Sequence, residues 1–300
     1  MVKIMKQVQI LLSTYNGEKY LDEQLTSIFS QKGTEVSVLV RDDGSTDQTI
    51  SILEKWAHKS KLSWYRGDNL KPAKSFLNLI SHTEGYDYYA LCDQDDVWLP
   101  EKIVTAVNIL YNEKAHLYYS TTTLVDNNLN DIEQITFPDY DFDFYQSIMY
   151  NHISGCTMVF SEELRKVLAN HTPKNIVMHD WWIILVCKSI GMETVYDLKS
   201  QILYRQHGEN TVGLSKNAFP FRYWAHCIFR PGEDESKMIA DLYELYGDKV
   251  KEEYKRDIEL LSSKKMNFIN KIHFICNKKY RTKGIKENVG FALKIIFNHL

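Results

Sequence analysis

Short apolar runs and helical patterns alternate along the first two thirds of the chain. Each apolar run is followed by a polar loop and then by apolar positions that recur at helical spacing. The predicted strands are 8–12, 36–40, 62–65 and 86–92, and the helices that follow them begin near Tyr20, Ile50, Ser75 and Pro100. This order predicts an α/β fold, with a mostly parallel sheet and helices on both faces. Ligands of such sheets bind beyond the carboxyl ends of the strands, where these polar loops lie.

The pattern is less regular farther along the chain. The elements predicted there are a strand at 116–122, a turn at 126–130 and helices at 162–168, 235–245 and 249–261, and residues 139–144 have no assignment. The alternation ends after Gly213, where long charged helical patterns begin. We therefore expect an α/β domain at 1–214 and a helical C-terminal extension at 215–300.

Composition and charge narrow the function. With 44% hydrophobic and 25% charged residues, the 300-residue chain has an ordinary globular composition. Its net charge of -3 gives no overall attraction to nucleic acid, and we expect no nucleic-acid partner. The charge is unevenly distributed, because nine basic residues and one acidic residue lie between Lys264 and Leu300. This basic tail carries +8, and the rest of the chain carries -11.

The cysteines and the N-terminus indicate a cytosolic protein. Five cysteines stand singly without a CxxC pair, which is typical of reduced core thiols rather than zinc ligands. The first residues lack a signal-peptide core, so we expect no secretion. The longest apolar run, 181–187, is far shorter than the ~20 residues that a membrane span requires.

Three carboxylates follow the fourth predicted strand. Asp93, Gln94, Asp95 and Asp96 come directly after residues 86–92. Carboxylates so close together repel one another unless a cation or hydrogen-bond donors neutralise them. Mg²⁺ or Mn²⁺ fits, because these ions take oxygen ligands and leave positions open for diphosphate oxygens and water. The alternative is a solvated acidic turn that caps the next helix, since Asp is a good N-cap.

Two more polar loops follow the first two strands. In the segment 41–47, Asp43 can accept the imide N–H of a uracil or thymine ring, while neighbouring polar residues cap a helix. After the first strand, Thr14, Tyr15 and Asn16 offer backbone and small polar groups that can border a nucleotide. The alternative for the segment 41–47 is that it only caps the helix, and the alternative for the loop after the first strand is that it has no role in binding.

Together, in this order and at strand ends, the three loops resemble those of inverting glycosyltransferases of family 2, whose catalytic domain has the GT-A fold. The resemblance covers roughly residues 8–213. It implies that Asp43 contacts the base and that Asp93 and Asp95 serve the ribose, the diphosphate and the metal. Asp95 is then the direct metal ligand, and Asp96 supports the cluster.

The same resemblance assigns residues later in the chain. Asp180 matches the family's catalytic base, which deprotonates the acceptor hydroxyl, and a helix N-cap is the alternative. Arg205 and His207 resemble the diphosphate-side arginine and metal-side histidine of some GT-A enzymes. Lys74, or Lys71, stands where many relatives carry a phosphate-side arginine. Candidates on the acceptor side or in support of the site are Trp98, Gly155, Cys156, His179 and Trp181.

The acidic motif and the segment 204–213 are most similar to those of bacterial rhamnosyltransferases. This similarity implies a dTDP-L-rhamnose donor and a role in cell-surface polysaccharide synthesis. A UDP-hexose donor remains open. A nucleotidyltransferase is a rival from another class, although the glycine-rich phosphate loop that it would need is missing from the sequence. A non-catalytic module that binds a sugar nucleotide is a further alternative.

The basic tail also carries apolar residues at helical spacing. These residues are Phe268, Ile272, Ile275, Val289, Leu293, Ile296 and Leu300. Segments of this kind lie in the membrane interface and attract anionic lipid. We therefore expect a cytoplasmic protein, peripheral on the inner face of the cell membrane, near a saccharide or lipid-linked acceptor. A helical appendage that packs on the body is the alternative.

Overall fold

The computed structural model describes residues 6–135, 142–207, 233–263 and 266–298. The chain divides into two compact units. The first comprises Met1–Asp139, Ile153–Asn170 and Glu193–Val212, and the second comprises Tyr140–His152, His171–Met192 and Gly213–Leu300. The predicted boundary near Leu214 lies outside the described residues and stays a prediction.

All eleven strands assigned to the described residues belong to the first unit. They are β1 Gln7–Thr14, β2 Glu35–Asp42, β3 Leu62–Arg66, β4 Tyr88–Cys92, β5 Val97–Trp98, β6 Leu117–Ser120, β7 Thr122–Val125, β8 Asp131–Ile135, β9 Val159–Ser161, β10 Thr194–Asp197 and β11 Ile202–Arg205. The helices of this unit are α1 Leu21–Phe29, α2 Thr49–Lys59, α3 Lys71–Ser81, α4 Lys102–Glu113 and α6 Glu162–Ala169. Those of the second unit are α5 Phe144–Ser147, α7 His179–Ser189, α8 Glu233–Tyr246, α9 Glu252–Leu261, α10 Phe268–Cys276 and α11 Ile285–Phe297.

A seven-stranded sheet of order β10-β6-β9-β4-β1-β2-β3 forms the centre of the first unit. Only β9 runs antiparallel to its neighbours among the described strands of this sheet. Leu12 of β1 lies opposite Cys92 of β4, and Thr14 lies opposite Asp42 of β2. The register therefore brings the carboxyl ends of β4, β1 and β2 to one edge of the sheet.

Helices cover both faces of this sheet. Ile10 of β1 packs in one core cluster with Leu25 of α1, Leu53 of α2 and Ile103 of α4. Successive side chains of a strand point to opposite faces, so the residues between them serve the other side. On that side, α3 contacts β1, and α6 contacts β4 and α3. The predicted α/β fold, mostly parallel with helices on both faces, is confirmed.

A smaller sheet corrects the strand predicted at 116–122. The chain there forms two strands in different sheets, because β6 joins the large sheet and β7 joins a four-stranded sheet of order β5-β11-β7-β8. Thr121 lies between them, and its N–H donates to the carbonyl oxygen of Asp197 at 3.1 Å. This hydrogen bond is the last one between β6 and β10, and from Thr122 onward the chain pairs within the smaller sheet.

The second unit is helical over its described residues. The helices α8 and α9 match the predictions at 235–245 and 249–261. The rings of Phe144 in α5 and Tyr254 in α9 stack with centroids 4.2 Å apart. Asp257 of α9 accepts a hydrogen bond of 2.6 Å from the Tyr280 hydroxyl and lies 3.0 Å from His273 Nε2 of α10. A buried carboxylate thus fastens the C-terminal helices to α9.

Several smaller predictions can be compared directly with the structure. The turn at 126–130 is confirmed by the hydrogen bond of 3.0 Å from Asp126 N–H to the Asn130 carbonyl oxygen. Helix α6 confirms the prediction at 162–168. The prediction of core thiols holds for Cys92, Cys156 and Cys187 and is wrong for Cys276, which is exposed. Cys227 lies outside the described residues. No helix of the described residues is long and apolar enough to cross a membrane.

Candidate active site

The three loops identified from the sequence interlock at the carboxyl edge of the large sheet. The side chain of Gln94 receives hydrogen bonds from Thr14 Oγ1 at 2.6 Å and from Tyr15 N–H at 2.9 Å. Asn16 N–H donates to Ser45 Oγ at 2.9 Å, which ties the first loop to the loop after β2. The loops after β1, β2 and β4 therefore form one hydrogen-bonded rim, as their positions at strand ends predicted.

Backbone geometry at two positions makes this rim possible. Asn16 has a φ of +49°, a left-handed conformation that asparagine tolerates better than most residues. A Cβ atom added at Gly17 would lie 2.5 Å from Gln94 Oε1 and 2.7 Å from Thr14 Oγ1. Only glycine fits there without moving Gln94, the side chain that connects two loops.

Asp43 is held in a defined orientation after β2. Its carboxylate is buried and forms an ion pair with Arg41. It also accepts hydrogen bonds of 2.9 Å from Ser75 Oγ and 3.0 Å from Leu70 N–H. Capping does not explain these contacts, because its partners lie on β2 and in the region of α3. Lys74 is exposed in the first turn of that helix.

The acidic residues after β4 differ sharply in exposure. Asp93, Gln94 and Asp95 are partly exposed, whereas Asp96 is 1% exposed. Asp95 Oδ2 lies 2.8 Å from His207 Nε2, although the two residues are 112 positions apart in the sequence. The two residues predicted as metal ligands thus meet at the edge of the sheet.

A tyrosine that the sequence analysis missed supports this pair. The ring of Tyr20 stacks on the imidazole of His207 with centroids 5.1 Å apart. The guanidinium carbon of Arg205 lies 4.6 Å from the centre of the same ring, and Tyr20 donates a hydrogen bond of 2.9 Å to Asn127 Oδ1. Tyr20 precedes α1 at helical spacing, so its sequence position indicated core packing and gave no sign of a role beside His207.

Arg205 is positioned differently from the phosphate contact that the resemblance implied. Its side chain is buried and donates to the carbonyl oxygens of Asp95 at 2.9 Å and Asn127 at 2.7 Å. It also forms an ion pair with Glu23. A diphosphate would have to displace these partners, because the guanidinium nitrogens already bond within the protein. Arg205 therefore orients the backbone of Asp95, and the expected diphosphate contact stays a prediction.

A buried layer lies beneath the acidic residues. Single acceptor or donor atoms of Asp93, Asp96 and Cys156 lie within 4.8 Å of one another. Burial, reinforced by the charges of Asp95 and Asp93, raises the pKa of Asp96 well above its usual range. Burial likewise raises the pKa of the Cys156 thiol. Cys156 therefore stays protonated and suits packing better than metal binding.

Other residues of this layer serve the core. Trp98 of β5 is 2% exposed, and its backbone N–H donates to Ser27 Oγ at 3.1 Å. The centre of its ring lies 4.2 Å from Lys102 Nζ. Burial lowers the pKa of Lys102 to about 8. Gly155 opens a buried 3₁₀ turn that ends at Thr157. Trp98 and Gly155 thus support the site from behind.

The side chains above the buried layer have the ligand atoms that a divalent cation such as Mg²⁺ or Mn²⁺ takes. Asp95 offers carboxylate oxygens and His207 an imidazole nitrogen at the same point, and the partly exposed Asp93 adds a second carboxylate in the same loop as Asp95. Oxygen and imidazole ligands suit Mn²⁺, and oxygen ligands suit Mg²⁺. Asp95 and His207 are the pair that would hold the ion.

Asp180 lies in the second unit. It occupies the second position of α7, whose N-cap is Met178, so the N-cap alternative for Asp180 is wrong. Its Oδ1 accepts hydrogen bonds of 2.8 Å from Asn151 Nδ2 and 2.7 Å from Trp181 N–H. These two donors fix the carboxylate at the start of the helix, where the helix dipole favours its negative charge.

The neighbours of Asp180 are buried. Trp181 is 2% exposed and donates from Nε1 to the Ser147 carbonyl oxygen at 2.8 Å. Burial lowers the pKa of His179 to about 3, which keeps the ring neutral at physiological pH. Both side chains anchor the first turn of α7 and thereby position Asp180.

Residues 9–170 match the Glycosyl transferase family 2 model. The chain is 32% identical over 223 residues to the dTDP-rhamnosyl transferase RfbG of Shigella flexneri, an alignment that covers 67% of this chain and 73% of that protein. It is 24% identical over 232 residues to an uncharacterised glycosyltransferase of Haemophilus influenzae, covering 75% of this chain and 88% of the relative.

Solved structures share the fold. Residues 1–349 of S. aureus TarS in complex with UDP-GlcNAc superpose with a TM-score of 0.57 at 16% identity, covering 96% of this chain and 90% of the other. A mannosyltransferase of Pyrobaculum calidifontis in complex with GDP-Man and Mn²⁺ gives a TM-score of 0.54 at 15% identity, covering 98% and 88%. Family match, relatives and sheet topology agree, and the chain belongs to glycosyltransferase family 2, as an enzyme with the GT-A fold.

Proposed function

We propose that this glycosyltransferase moves L-rhamnose from dTDP-L-rhamnose to a saccharide or lipid-linked acceptor, with inversion at the anomeric carbon. The observation that carries the proposal is the meeting of Asp95 with His207 beside the interlocked loops after β1 and β2. The choice of donor is supported by the similarity to the dTDP-rhamnosyl transferase of Shigella flexneri. Synthesis of bacterial surface polysaccharide is the process that this donor suggests.

The nucleotide occupies the rim in this proposal. Asp43 accepts the imide N–H of thymine, and its three protein contacts keep the carboxylate oriented for that bond. Thr14, Tyr15 and Asn16 border the nucleoside, and Gln94 holds their loop in place. Asp93 faces the ribose, and the exposed Lys74 supplies positive charge near the diphosphate.

Asp95 and His207 hold Mg²⁺ or Mn²⁺ in this proposal. A bound divalent ion offsets the negative charge that develops on the departing nucleotide diphosphate. Arg205 and Tyr20 act through these two residues, since Arg205 bonds to the Asp95 carbonyl oxygen and Tyr20 stacks on His207. Asp96 supports the same loop from its buried position by accepting a hydrogen bond of 3.2 Å from the Arg205 N–H.

Asp180 is the general base. Its carboxylate accepts the proton of the acceptor hydroxyl while that oxygen bonds to the anomeric carbon and the bond to dTDP breaks. One base suffices for a single displacement, whereas retention through a double displacement would also require a nucleophile. The donors Asn151 Nδ2 and Trp181 N–H keep the carboxylate oriented.

A panel of nucleotide sugars tests the donor. Each sugar nucleotide is incubated with the enzyme and Mg²⁺ or Mn²⁺, and release of the nucleotide diphosphate is measured. We expect the fastest release from dTDP-L-rhamnose. Faster release from a UDP-hexose would contradict the donor assignment, and release of pyrophosphate from a nucleoside triphosphate would instead indicate a nucleotidyltransferase.

Two variants test the residue roles. Asp180→Asn should lower turnover at least about a thousandfold, because the base is lost, while donor binding persists. Asp95→Ala should weaken donor binding in the presence of the ion as well as turnover. The exposed Asp248→Asn and Asp131→Ala are matched controls that keep wild-type rates. Substantial turnover by Asp180→Asn would exclude Asp180 as the base and require another residue in that role.

A further inference from the structure

Helix α10 has two apolar faces, and only one of them is buried. Six of its nine residues are apolar, yet Phe274 is the only buried side chain of the helix. At 3.6 residues per turn, the other five fall within about 120° of the helix surface, roughly opposite Phe274. These residues are Phe268, Ile269, Ile272, Ile275 and Cys276. Phe268 and Ile269 are 77% and 76% exposed.

Helix α11 continues the pattern. Ile285, Val289 and Ile296 lie on one side of this helix, opposite the buried Phe291 and Ile295. Ile285 is 76% exposed and Ile296 is 47% exposed. The helix thus presents a second apolar stripe to solvent while its other side packs within the helical unit.

The two helices adjoin at their ends. Lys271 Nζ of α10 donates to the Ile296 carbonyl oxygen of α11 at 2.6 Å. Met266 N–H, just before α10, donates to Asn298 Oδ1 at 3.3 Å. The exposed apolar residues at the start of α10 therefore lie next to those at the end of α11. A contiguous group of exposed apolar side chains of this kind is typical of an interaction site.

The charges that this segment of the chain itself carries are almost entirely positive. Helix α10 contains no acidic residue, and Glu287 is the only acid between Lys264 and Leu300. Arg281 is exposed and lies beside α10, since its Nη2 donates to the Ile275 carbonyl oxygen at 3.3 Å. Lys271 flanks the outward stripe on the helix itself. A second copy of the chain would bring a like-charged surface, whereas anionic lipid offers the complementary charge.

We propose that the outward sides of α10 and α11 form a membrane-binding face that lies in the interface of an anionic bilayer. Phe268, Ile269 and Ile272 insert at the boundary between headgroups and acyl chains, and the basic residues contact lipid phosphates. The helices lie along the surface, because neither is long enough to span it. The proposed lipid contacts involve none of the residues assigned to the donor or the ion, so binding to the bilayer requires neither donor nor divalent ion.

Flotation of the full chain with vesicles tests this face. We expect the wild type to float with vesicles of phosphatidylglycerol and phosphatidylethanolamine and to remain at the bottom with phosphatidylcholine alone. The triple variant Phe268→Ser, Ile269→Ser, Ile272→Ser should bind anionic vesicles at least about tenfold more weakly, because each lost apolar side chain lowers the partition coefficient. Raising the salt concentration should weaken binding of the wild type.

A matched triple variant controls for the loss of exposed apolar surface. Tyr111→Ser, Ile132→Ser, Leu198→Ser removes three side chains that are 68%, 57% and 49% exposed in the other unit, and it should float like the wild type. All three proteins should show the same thermal midpoint and the same release of dTDP from free donor. Equal flotation of both triple variants would overturn the proposal, as would a wild type that does not float. Self-association of the wild type that the α10 variant alone abolishes, without flotation, would identify a dimer interface instead.

Discussion

Tyr20 contacts three residues beside Asp95, the proposed metal ligand. Its ring stacks on His207, lies under the guanidinium of Arg205 and bonds through its hydroxyl to Asn127. We predict that Tyr20→Ala raises the Mn²⁺ concentration needed for half-maximal activity at least about tenfold, because His207 loses the ring that orients it. The activity is measured as dTDP release against Mn²⁺ concentration.

Tyr20→Phe is the matched control. It keeps the ring stack and removes only the hydrogen bond to Asn127, so its Mn²⁺ requirement should stay within about threefold of that of the wild type. An unchanged Mn²⁺ requirement in Tyr20→Ala would show that the stacked ring does not position His207.

His152 makes the stability of the second unit depend on pH. Burial, together with the nearby charge of Lys188, lowers its pKa to about 3. The folded protein therefore keeps the ring neutral, whereas the unfolded chain binds a proton as the pH falls below about 6.5. The stability that depends on the neutral ring is complete above that pH and is lost as the pH falls toward 3.

We predict that His152→Phe flattens this acid dependence. The ring still packs against Phe142, whose centroid lies 4.2 Å from that of His152. Between pH 7 and pH 5 the free energy of unfolding of the wild type should fall by about 2 kcal/mol more than that of the variant, from about 1.4 kcal/mol for each pH unit below 6.5. Urea unfolding at several pH values measures the free energy of unfolding of both proteins. If it fell equally with pH in the wild type and in His152→Phe, the buried neutral ring of His152 would not be the source of the acid dependence.

At the scale of elements, the hydrogen-bonded rim formed by the loops after β1, β2 and β4 depends on the turn between β1 and α1. A methyl group at Gly17 would meet Gln94 Oε1 at 2.5 Å and force apart the hydrogen bonds that join the loops. We predict that Gly17→Ala raises the KM for the donor about tenfold or more, with the protein still folded. Gly85→Ala is the control, because a Cβ there meets no atom within 4 Å and only its φ of +88° is strained. It should lower stability while leaving the KM unchanged.

The long elements could be predicted because their periodicity is local. The apolar run at 8–12 and the helical pattern after Tyr20 each specify β1 and α1 without reference to the rest of the chain. The two-residue β5 and four-residue β11 were missed, since strands so short carry no detectable alternation. Their pairing, Ile202 opposite Trp98, is decided by tertiary packing.

At the scale of the whole molecule, the donor and the divalent ion should stabilise the fold together. A ligand that binds only the folded state adds about 2.7 kcal/mol at a concentration of one hundred times its Kd. We predict that dTDP with Mn²⁺ raises the thermal midpoint, and that removal of the ion with EDTA abolishes most of this shift. In Asp95→Ala, dTDP should raise the thermal midpoint only as little as it does for the wild type in EDTA, whether or not Mn²⁺ is added. A shift of equal size in EDTA would argue against metal-assisted binding.

The sequence by itself determined the order of the first four long strands and of the helices that follow them, the acidic residues after β4 and the basic apolar tail. Each of these follows from short-range periodicity or from charges that are neighbours in the chain. The tertiary structure alone decided which distant residues meet. Asp95 reaches His207 across 112 positions, and Arg205 reaches Glu23 across 182. Strand register and side-chain packing set such contacts, and they place the buried Arg205 guanidinium against the backbone of Asp95.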